Sequence, residues 1–319
     1  DTVFIGGGTP SVPECDVMEK LLQGLRDYFL FSADAEVTIE ANPGTLTPEK
    51  LSIYRKYGIN RISIGLQSPK NKELAILGRI HNYAQFLESF QMAREAGFSN
   101  INVDLMFAIP GQSYEGWIEN LRTVAALGPE HISAYSLIIE EGTPFSRKKL
   151  DLPDEDTEYR MYEDVAAVLK EYDYHQYEIS NYAKAGRECR HNEGYWQRKD
   201  YLGLGLGAAS LLGKERFSNT SDMQEYLKNS SAPEKIRKNR ELLTREDEMA
   251  EFMFLGLRMT QGVSKKEFQE YFGTAIENIY GEVLKKYKKQ GLLLEESGRI
   301  FLSREGIHVS NAVMADFLL

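Results

Sequence analysis

Polar residues recur along the first half of this 319-residue chain at places from which they could share one ligand. Gly6-Gly7-Gly8-Thr9 follows the apolar run Thr2–Ile5, and glycines there let the backbone approach a ligand with no Cβ in the way. Glu40-Ala41-Asn42-Pro43-Gly44, Gln67-Ser68, Asp104 and Tyr135-Ser136 each fall at the end of, or inside, a later apolar run. A glycine turn alone is only a turn, and one Glu at a strand end is only a cap. Asp104 carries more weight, because an unpaired carboxylate in a buried strand is costly and demands a donor or a ligand. No Gly-Lys-Ser/Thr follows the glycines and no G-x-G-x-x-G is present, so a polyphosphate is poorly supported. Exposed amides and carbonyls beside acids suit a zwitterion that carries hydroxyl groups. Arg79, within Leu77-Gly78-Arg79-Ile80-His81, could pair with its carboxylate in bidentate fashion, or be a surface arginine.

These residues need elements that bring them to one rim. Strand-like runs at Thr2–Ile5, Glu36–Ile39, Arg61–Leu66, Asn100–Phe107 and His131–Leu137 alternate with amphipathic stretches at Pro13–Phe31, Thr47–Tyr57, Tyr83–Ala96 and Tyr114–Leu127. Such alternation predicts an α/β fold with a parallel sheet covered by helices, either open and doubly wound or a full or partial βα barrel. In such sheets ligands bind at the carboxyl ends of the strands, which is where the polar residues fall. Further on, Asp154–Tyr172 predicts a helix, and His175–Ile179 and Gly207–Leu212 predict strands. Ser230–Asn239 reads as a linker. Helices over Thr244–Arg258, Ser264–Phe272 and Ile276–Gln290, a hairpin turning at Ser297-Gly298 and a last helix over Glu305–Leu318 resemble a winged-helix module. Three regions follow: 1–140, 141–229 and 230–319.

A net charge of −10 argues against a general nucleic-acid binder. The basic run Lys285-Lys286-Tyr287-Lys288-Lys289 is balanced by Glu267, Glu270, Glu277, Glu282, Glu295 and Glu296, and reads as a solvated helix face. Leu202 to Gly213 is too short and glycine-rich to span a bilayer. The two cysteines, Cys15 and Cys189, fit no zinc or cluster spacing and suit the cytoplasm. By themselves they cannot hold an iron–sulfur cluster. With no capping element ahead of the first strand, a further βα unit is expected upstream.

Five ordered motifs carry a resemblance over essentially the whole chain. Gly6-Gly7-Gly8-Thr9-Pro10-Ser11, Ile39-Glu40-Ala41-Asn42-Pro43, Arg61-Ile62-Ser63-Ile64-Gly65-Leu66-Gln67-Ser68, Leu77-Gly78-Arg79-x-His81 and Asn102-Val103-Asp104-Leu105 resemble the radical S-adenosylmethionine proteins around the oxygen-independent coproporphyrinogen III oxidases. The resemblance implies a partial (β/α)6 barrel lacking its first strand and cluster loop. A mixed α/β segment and a C-terminal helical, winged-helix-like domain would follow. It implies that Gly7, Gly8 and Thr9 contact the methionine end of S-adenosylmethionine. Glu40, Gln67, Arg79, Asp104 and Ile138 would complete that site, with Arg79 on the carboxylate. The family's C-x-x-x-C-x-x-C, which binds a [4Fe–4S] cluster, has no counterpart here, so the cluster's ligands are expected upstream of residue 1.

His191-Asn192-Glu193-Gly194-Tyr195-Trp196 resembles the H-N-x-x-Y-W signature of the haem-chaperone branch of this family. Tyr177–Tyr182, Asp200–Gly205 and Glu251–Arg258 also match that branch. This resemblance implies haem binding through His191, Tyr195 and Trp196, delivery to an acceptor haem protein, and association with a membrane. A neutral imidazole can ligate haem iron while aromatics cover the porphyrin, and Cys189 would be an alternative ligand. Otherwise His191 is a loop histidine and Tyr195-Trp196 a packing anchor. His131, His175 and His308 are expected to be structural. The alternative function is the oxidase itself, decarboxylating coproporphyrinogen III to protoporphyrinogen IX.

Overall fold

Alternation within the strands decides how the sheet is used. A computed structural model describes residues 1–319, and in it the chain separates into two compact units, Asp1–His191 and Asn192–Leu319. The region 141–229 is therefore divided between them.

The first unit runs β1 (Thr2–Ile5), α1 (Cys15–Tyr28), β2 (Glu36–Ala41), α2 (Pro48–Lys56), β3 (Arg61–Gln67), α3 (Asn71–Ile76), α4 (Tyr83–Glu95), β4 (Ile101–Phe107), α5 (Tyr114–Ala125) and β5 (His131–Ser136). After these come α6 (Glu155–Lys170), β6 (His175–Gln176), β7 (Asn181–Ala183) and the start of α7 (Arg190–Trp196). The seven-stranded sheet has the order β1-β2-β3-β4-β5-β7-β6. β1 to β5 pair in parallel, whereas β7 runs antiparallel to both β5 and β6. The fold class expected from the motifs is the one found, as an open sheet: the strand after β5 returns antiparallel, so no ring of parallel strands closes.

Val37, Ile39 and Ala41 of β2 alternate with Glu36, Thr38 and Glu40, and β3, β4 and β5 repeat the pattern. The apolar set packs with Leu51, Tyr54, Phe86, Trp117 and Met161 of the helices into one core. The polar set occupies the other face. Helix starts follow their sequence signals: Thr47, Asn82, Ser113 and Asp154 cap α2, α4, α5 and α6 through side-chain oxygens. Gly58 and Gly97, at φ +83° and +86°, end α2 and α4.

The second unit holds β8 (Ala209–Leu212), β9 (Glu215–Asn219), α8 (Met223–Asn229), α9 (Pro233–Ile236) and β10 (Arg237–Leu242), with the sheet β10-β9-β8. The stretch read as a linker is thus α9 and the start of an edge strand. Its polarity reflects exposure on that edge, where Lys238, Asn239 and Arg240 face solvent. Then come α10 (Arg245–Gly256), β11 (Val263–Ser264), α11 (Lys265–Phe272), α12 (Ile276–Lys289), β12 (Leu293–Glu296), β13 (Arg299–Leu302), α13 (Arg304–His308) and α14 (Ser310–Ala315). Ser297 and Gly298 both have positive φ, at +51° and +75°, as a tight hairpin requires. The single final helix expected from the sequence is broken at Val309, whose ψ is 22°.

A buried carboxylate secures the turn between β3 and α4. Glu73 accepts hydrogen bonds from Ser68 Oγ at 2.6 Å, Gln112 Nε2 at 3.0 Å and Asn120 Nδ2 at 2.8 Å. Glu73→Ala should destabilise the first unit by on the order of 3 kcal/mol or more, since it strands three buried donors. Urea unfolding followed by circular dichroism measures this, and a shift within the scatter of surface mutants would refute the role given to Glu73.

Candidate functional site

At the carboxyl ends of β1 to β5 the polar side chains meet across strands. Glu40 Oε2 accepts the Gly7 amide at 3.2 Å. A Cβ on Gly6 would stand 2.9 Å from that same carboxylate oxygen, so Gly6 makes room for Glu40. Gly7 and Gly8, at φ +84° and +61°, have nothing within 4 Å of where a Cβ would point, which leaves an open cradle. Thr9 Oγ1 accepts from Asn42 Nδ2 at 3.1 Å, tying the glycine turn to the end of β2.

Gln67 sits where the β3–β4 register shifts, in the left-handed region at φ +73°. A non-glycine residue there is held by its surroundings, a condition that clusters at functional sites. Its Oε1 accepts from the Tyr135 hydroxyl at 2.8 Å, joining β3 to β5. Between them, Asp104 Oδ1 accepts from Asn102 Nδ2 at 2.7 Å and Oδ2 from Ser63 Oγ at 3.4 Å. Burial raises the Asp104 pKa, against the donors around it and the charge of Arg61. Burial also raises Glu40, and the Asp104 charge adds to that. Tyr135 is pushed up by burial, and the charges of Asp104, Arg79 and Glu40 act on it.

Arg79 follows Gly78, is half-buried, and forms no ion pair with an acidic side chain of the protein. His81 is buried and donates Nε2–H to the Leu66 carbonyl at 3.2 Å, and burial lowers its pKa. Ile138 is 76% exposed just beyond β5. Ser68 and Ser136 do not join the rim: Ser68 donates to Glu73, and Ser136 donates to Glu158 of α6.

His191 lies at the opposite ends of the same strands. Its Nδ1 is 2.9 Å from Thr2 Oγ1, and its ring stacks on Phe4 with centroids 5.1 Å apart. The Glu36 carboxylate accepts the backbone amides of Arg190 and His191, each at 3.1 Å, and so caps the start of α7. His191 is therefore a helix residue held at both backbone and ring, not a loop residue. Burial lowers its pKa, the Glu36 charge opposes this and Arg61 reinforces it, which favours neutral imidazole. Cys189 is wholly buried, its Sγ 3.6 Å from Glu36 Oε1, so it offers no surface to a macrocycle as an alternative ligand. Glu36 was missed by sequence reading. Its partners lie 153 to 155 positions away, beyond any local pattern.

Tyr195 and Trp196 belong to the second unit. Tyr195 meets Tyr201 edge-on at 4.7 Å, and Arg258 lies over the Trp196 ring at 4.3 Å. Beside them Glu251, only 4% exposed, holds Arg198 at 2.7 Å and Arg216 at 2.6 Å. No helix is long and apolar enough to cross a membrane. An open groove of about 650 Å³ between α5 and α6, lined by Tyr114, Ile118, Arg122 and Asp164, contains none of the rim residues.

Cys15 stands in the first turn of α1, with its thiol pKa raised by burial, and no group of three or more His, Cys, Asp or Glu is placed to hold a metal ion. The residues of this chain thus do not fit an iron–sulfur cluster.

Comparison with known proteins supplies the context. The model of the Radical SAM superfamily matches residues 1–124, and that of the HemN C-terminal domain matches residues 243–309. The Bacillus subtilis protein named heme chaperone HemW is 38% identical, over 99% of this chain and 85% of its own length. The Escherichia coli protein of the same name is 36% identical, over 95% of this chain and 82% of its own. Among solved structures, Escherichia coli coproporphyrinogen III oxidase (HemN), described as a Radical SAM enzyme, superposes with a TM-score of 0.87 over 99% of this chain and 77% of its own. At 22% identity that match establishes a shared fold.

The raised pKa of Asp104 has a direct consequence. A carboxylate whose folded pKa exceeds the unfolded value of about 3.9 stabilises the fold when protonated, and that contribution is lost as pH rises through the folded value. Asp104→Asn should therefore match wild-type stability in acid and exceed it near neutral pH. Thermal unfolding across pH 3 to 8 tests this, and an advantage that shrinks with rising pH would contradict the assignment.

Proposed function

The chain belongs to the HemW family of the radical SAM superfamily, and from that premise we propose that it binds haem at His191 and passes it to an acceptor haem protein. Beside this we place a rim site for S-adenosylmethionine. The observation that carries the haem half is the setting of His191. Burial favours a neutral ring, Phe4 fixes its plane, and Thr2 stands at Nδ1. When Nδ1–H donates to Thr2 Oγ1, the lone pair is on Nε2, which is the form that ligates iron. Tyr195 and Trp196 are the aromatic residues we assign to the porphyrin.

The rim fits S-adenosylmethionine by donor set. When bound, that molecule would bring a methionyl zwitterion, a sulfonium and two ribose hydroxyls. Glu40 and Asp104 are acceptors for ammonium or hydroxyl groups, and Arg79, without an acidic partner, is the cation for the carboxylate. Gly7, Gly8 and Thr9 present backbone and hydroxyl groups, and Gln67, locked by Tyr135, offers its amide. Ile138 supplies an exposed apolar contact. A [4Fe–4S] cluster is expected of the superfamily, but Cys15 and Cys189 are not its ligands and no step is drawn through it. Two free cysteines suit a reducing compartment, and the cytoplasm is the localisation of this reading.

The experiment is an anaerobic haemin titration of the protein followed by its Soret band, with coproporphyrinogen III turnover assayed on the same sample. A saturable one-site spectrum without protoporphyrinogen formation is expected. Turnover without a specific haem spectrum would make the oxidase the correct function. Thr2→Val should weaken haemin binding about 10–100-fold, the usual effect of removing a partner that fixes a ligating imidazole. His191→Ala should abolish the spectrum, and an unchanged affinity would remove His191 as the ligand.

A further inference from the structure

An unbroken run of buried polar groups connects the two ends of these strands. At the rim end, Asn102 Nδ2 donates to Asp104 Oδ1 at 2.7 Å and to Ser63 Oγ at 2.8 Å. Both amide hydrogens are thereby used, and the amide oxygen faces His131, whose Nδ1 is 2.6 Å away. An amide oxygen only accepts, so the ring proton is on Nδ1. Burial holds the imidazole well below its ordinary pKa, consistent with a single ring proton. Nε2 is then an acceptor, and the Tyr177 hydroxyl donates to it at 2.9 Å. The Tyr177 oxygen in turn accepts the Cys189 amide at 3.2 Å. Two residues on is His191.

Every donor in this run points the same way, from Cys189 toward the Asp104 carboxylate. Asn102, His131, Tyr177 and Cys189 are 2%, 0%, 5% and 0% exposed, so water does not compete for these bonds. In a dry site such a chain polarises cooperatively, and a change of acceptor strength at one end is felt at the other. A ligand hydroxyl or ammonium group on Asp104 would draw on the same carboxylate that Asn102 donates to.

We propose that this directional chain couples occupancy of the rim to the placement of the Cys189–His191 turn, so that the rim ligand and haem change each other's affinity. Tyr177 and His131 act as positioning residues and touch neither ligand. The proposal rests on the assignment of the two ends given above. Linkage makes the effect reciprocal: the factor by which the rim ligand changes haem affinity equals the factor by which haem changes rim-ligand affinity.

The test measures haemin Kd by Soret titration with and without saturating S-adenosylmethionine, and S-adenosylmethionine Kd by equilibrium dialysis with and without haemin. Wild type should show the same factor in both directions, on the order of 5–150-fold. In Tyr177→Phe, which loses only the hydroxyl, the factor should fall to about 1 while both ligands still bind. Tyr174→Phe is the matched control: its buried hydroxyl donates to the Pro129 carbonyl outside the chain, and coupling should survive its loss. Coupling that persists in Tyr177→Phe, or vanishes equally in Tyr174→Phe, would overturn the proposal. Two normal binding isotherms with no coupling in wild type would sink it alone. Failure of either ligand to bind would sink it together with the functional reading beneath it.

Discussion

The polar face of β2 to β5 is buried at the amino ends of the strands and half-buried toward the rim, so most of its donors and acceptors pair with one another, and this requirement organises the first unit. Most side-chain bonds there cross between strands: Ser63 to Asp104, Asn102 to His131, Tyr135 to Gln67. Stranding one such group costs about 1–3 kcal/mol, comparable with a cavity in the core. The side chains therefore fix strand register as firmly as the backbone ladder does. Parallel strands covered on both faces usually read as continuous apolar runs. Here one face is polar, and Glu36-Val37-Thr38-Ile39-Glu40 alternates as a half-exposed strand would.

That face also carries the cost of the candidate sites. Glu40 and Asp104 are held where their charged forms are disfavoured, and Gln67 sits in a backbone region that a glutamine seldom adopts. None of these serves stability, and strain of this kind persists only where the surroundings over-determine it. Those surroundings are identifiable: the three-donor shell of Glu73, the fully buried Trp117 bonded to the Met161 carbonyl at 2.9 Å, and the Arg94–Glu130 pair at 2.8 Å. The Glu73 shell braces the carboxyl ends of β3 and β4 directly behind the rim, whereas the other two lie in the helical layer and at the amino ends of the strands.

The parts legible from sequence were those whose physics is local. β1 to β5 and their helices follow from hydrophobic spacing and caps, with bounds shifted by one or two residues at most strand ends. Rim residues stood out because strand ends are where a parallel sheet presents side chains. Several of the errors come from tertiary partners that no local pattern announces. Ser68 and Ser136 look like rim donors until Glu73 and Glu158 claim them. Residues 190–196 look like a loop until Glu36 caps them as a helix. Three-residue β7 exists because β5 offers an edge, and no propensity over so few residues announces it; of the strand expected over His175–Ile179, only His175–Gln176 pairs, and it pairs with β7.

The separation of the two ends constrains how they could communicate. From Thr2, beside His191, to Gly6 is about 13 Å of strand at the usual rise of 3.3 Å per residue. Sliding β1 or β2 would break the parallel ladders and the side-chain bonds across them together. Rigid translation of a strand is thus the costly route. A rearrangement of hydrogen-bond donors within the polar face leaves every ladder intact, and needs only that one acceptor, Asp104, be shared between protein and ligand. The feature that makes the sheet expensive to build, a largely buried polar face, is the one that lets its two ends act on each other.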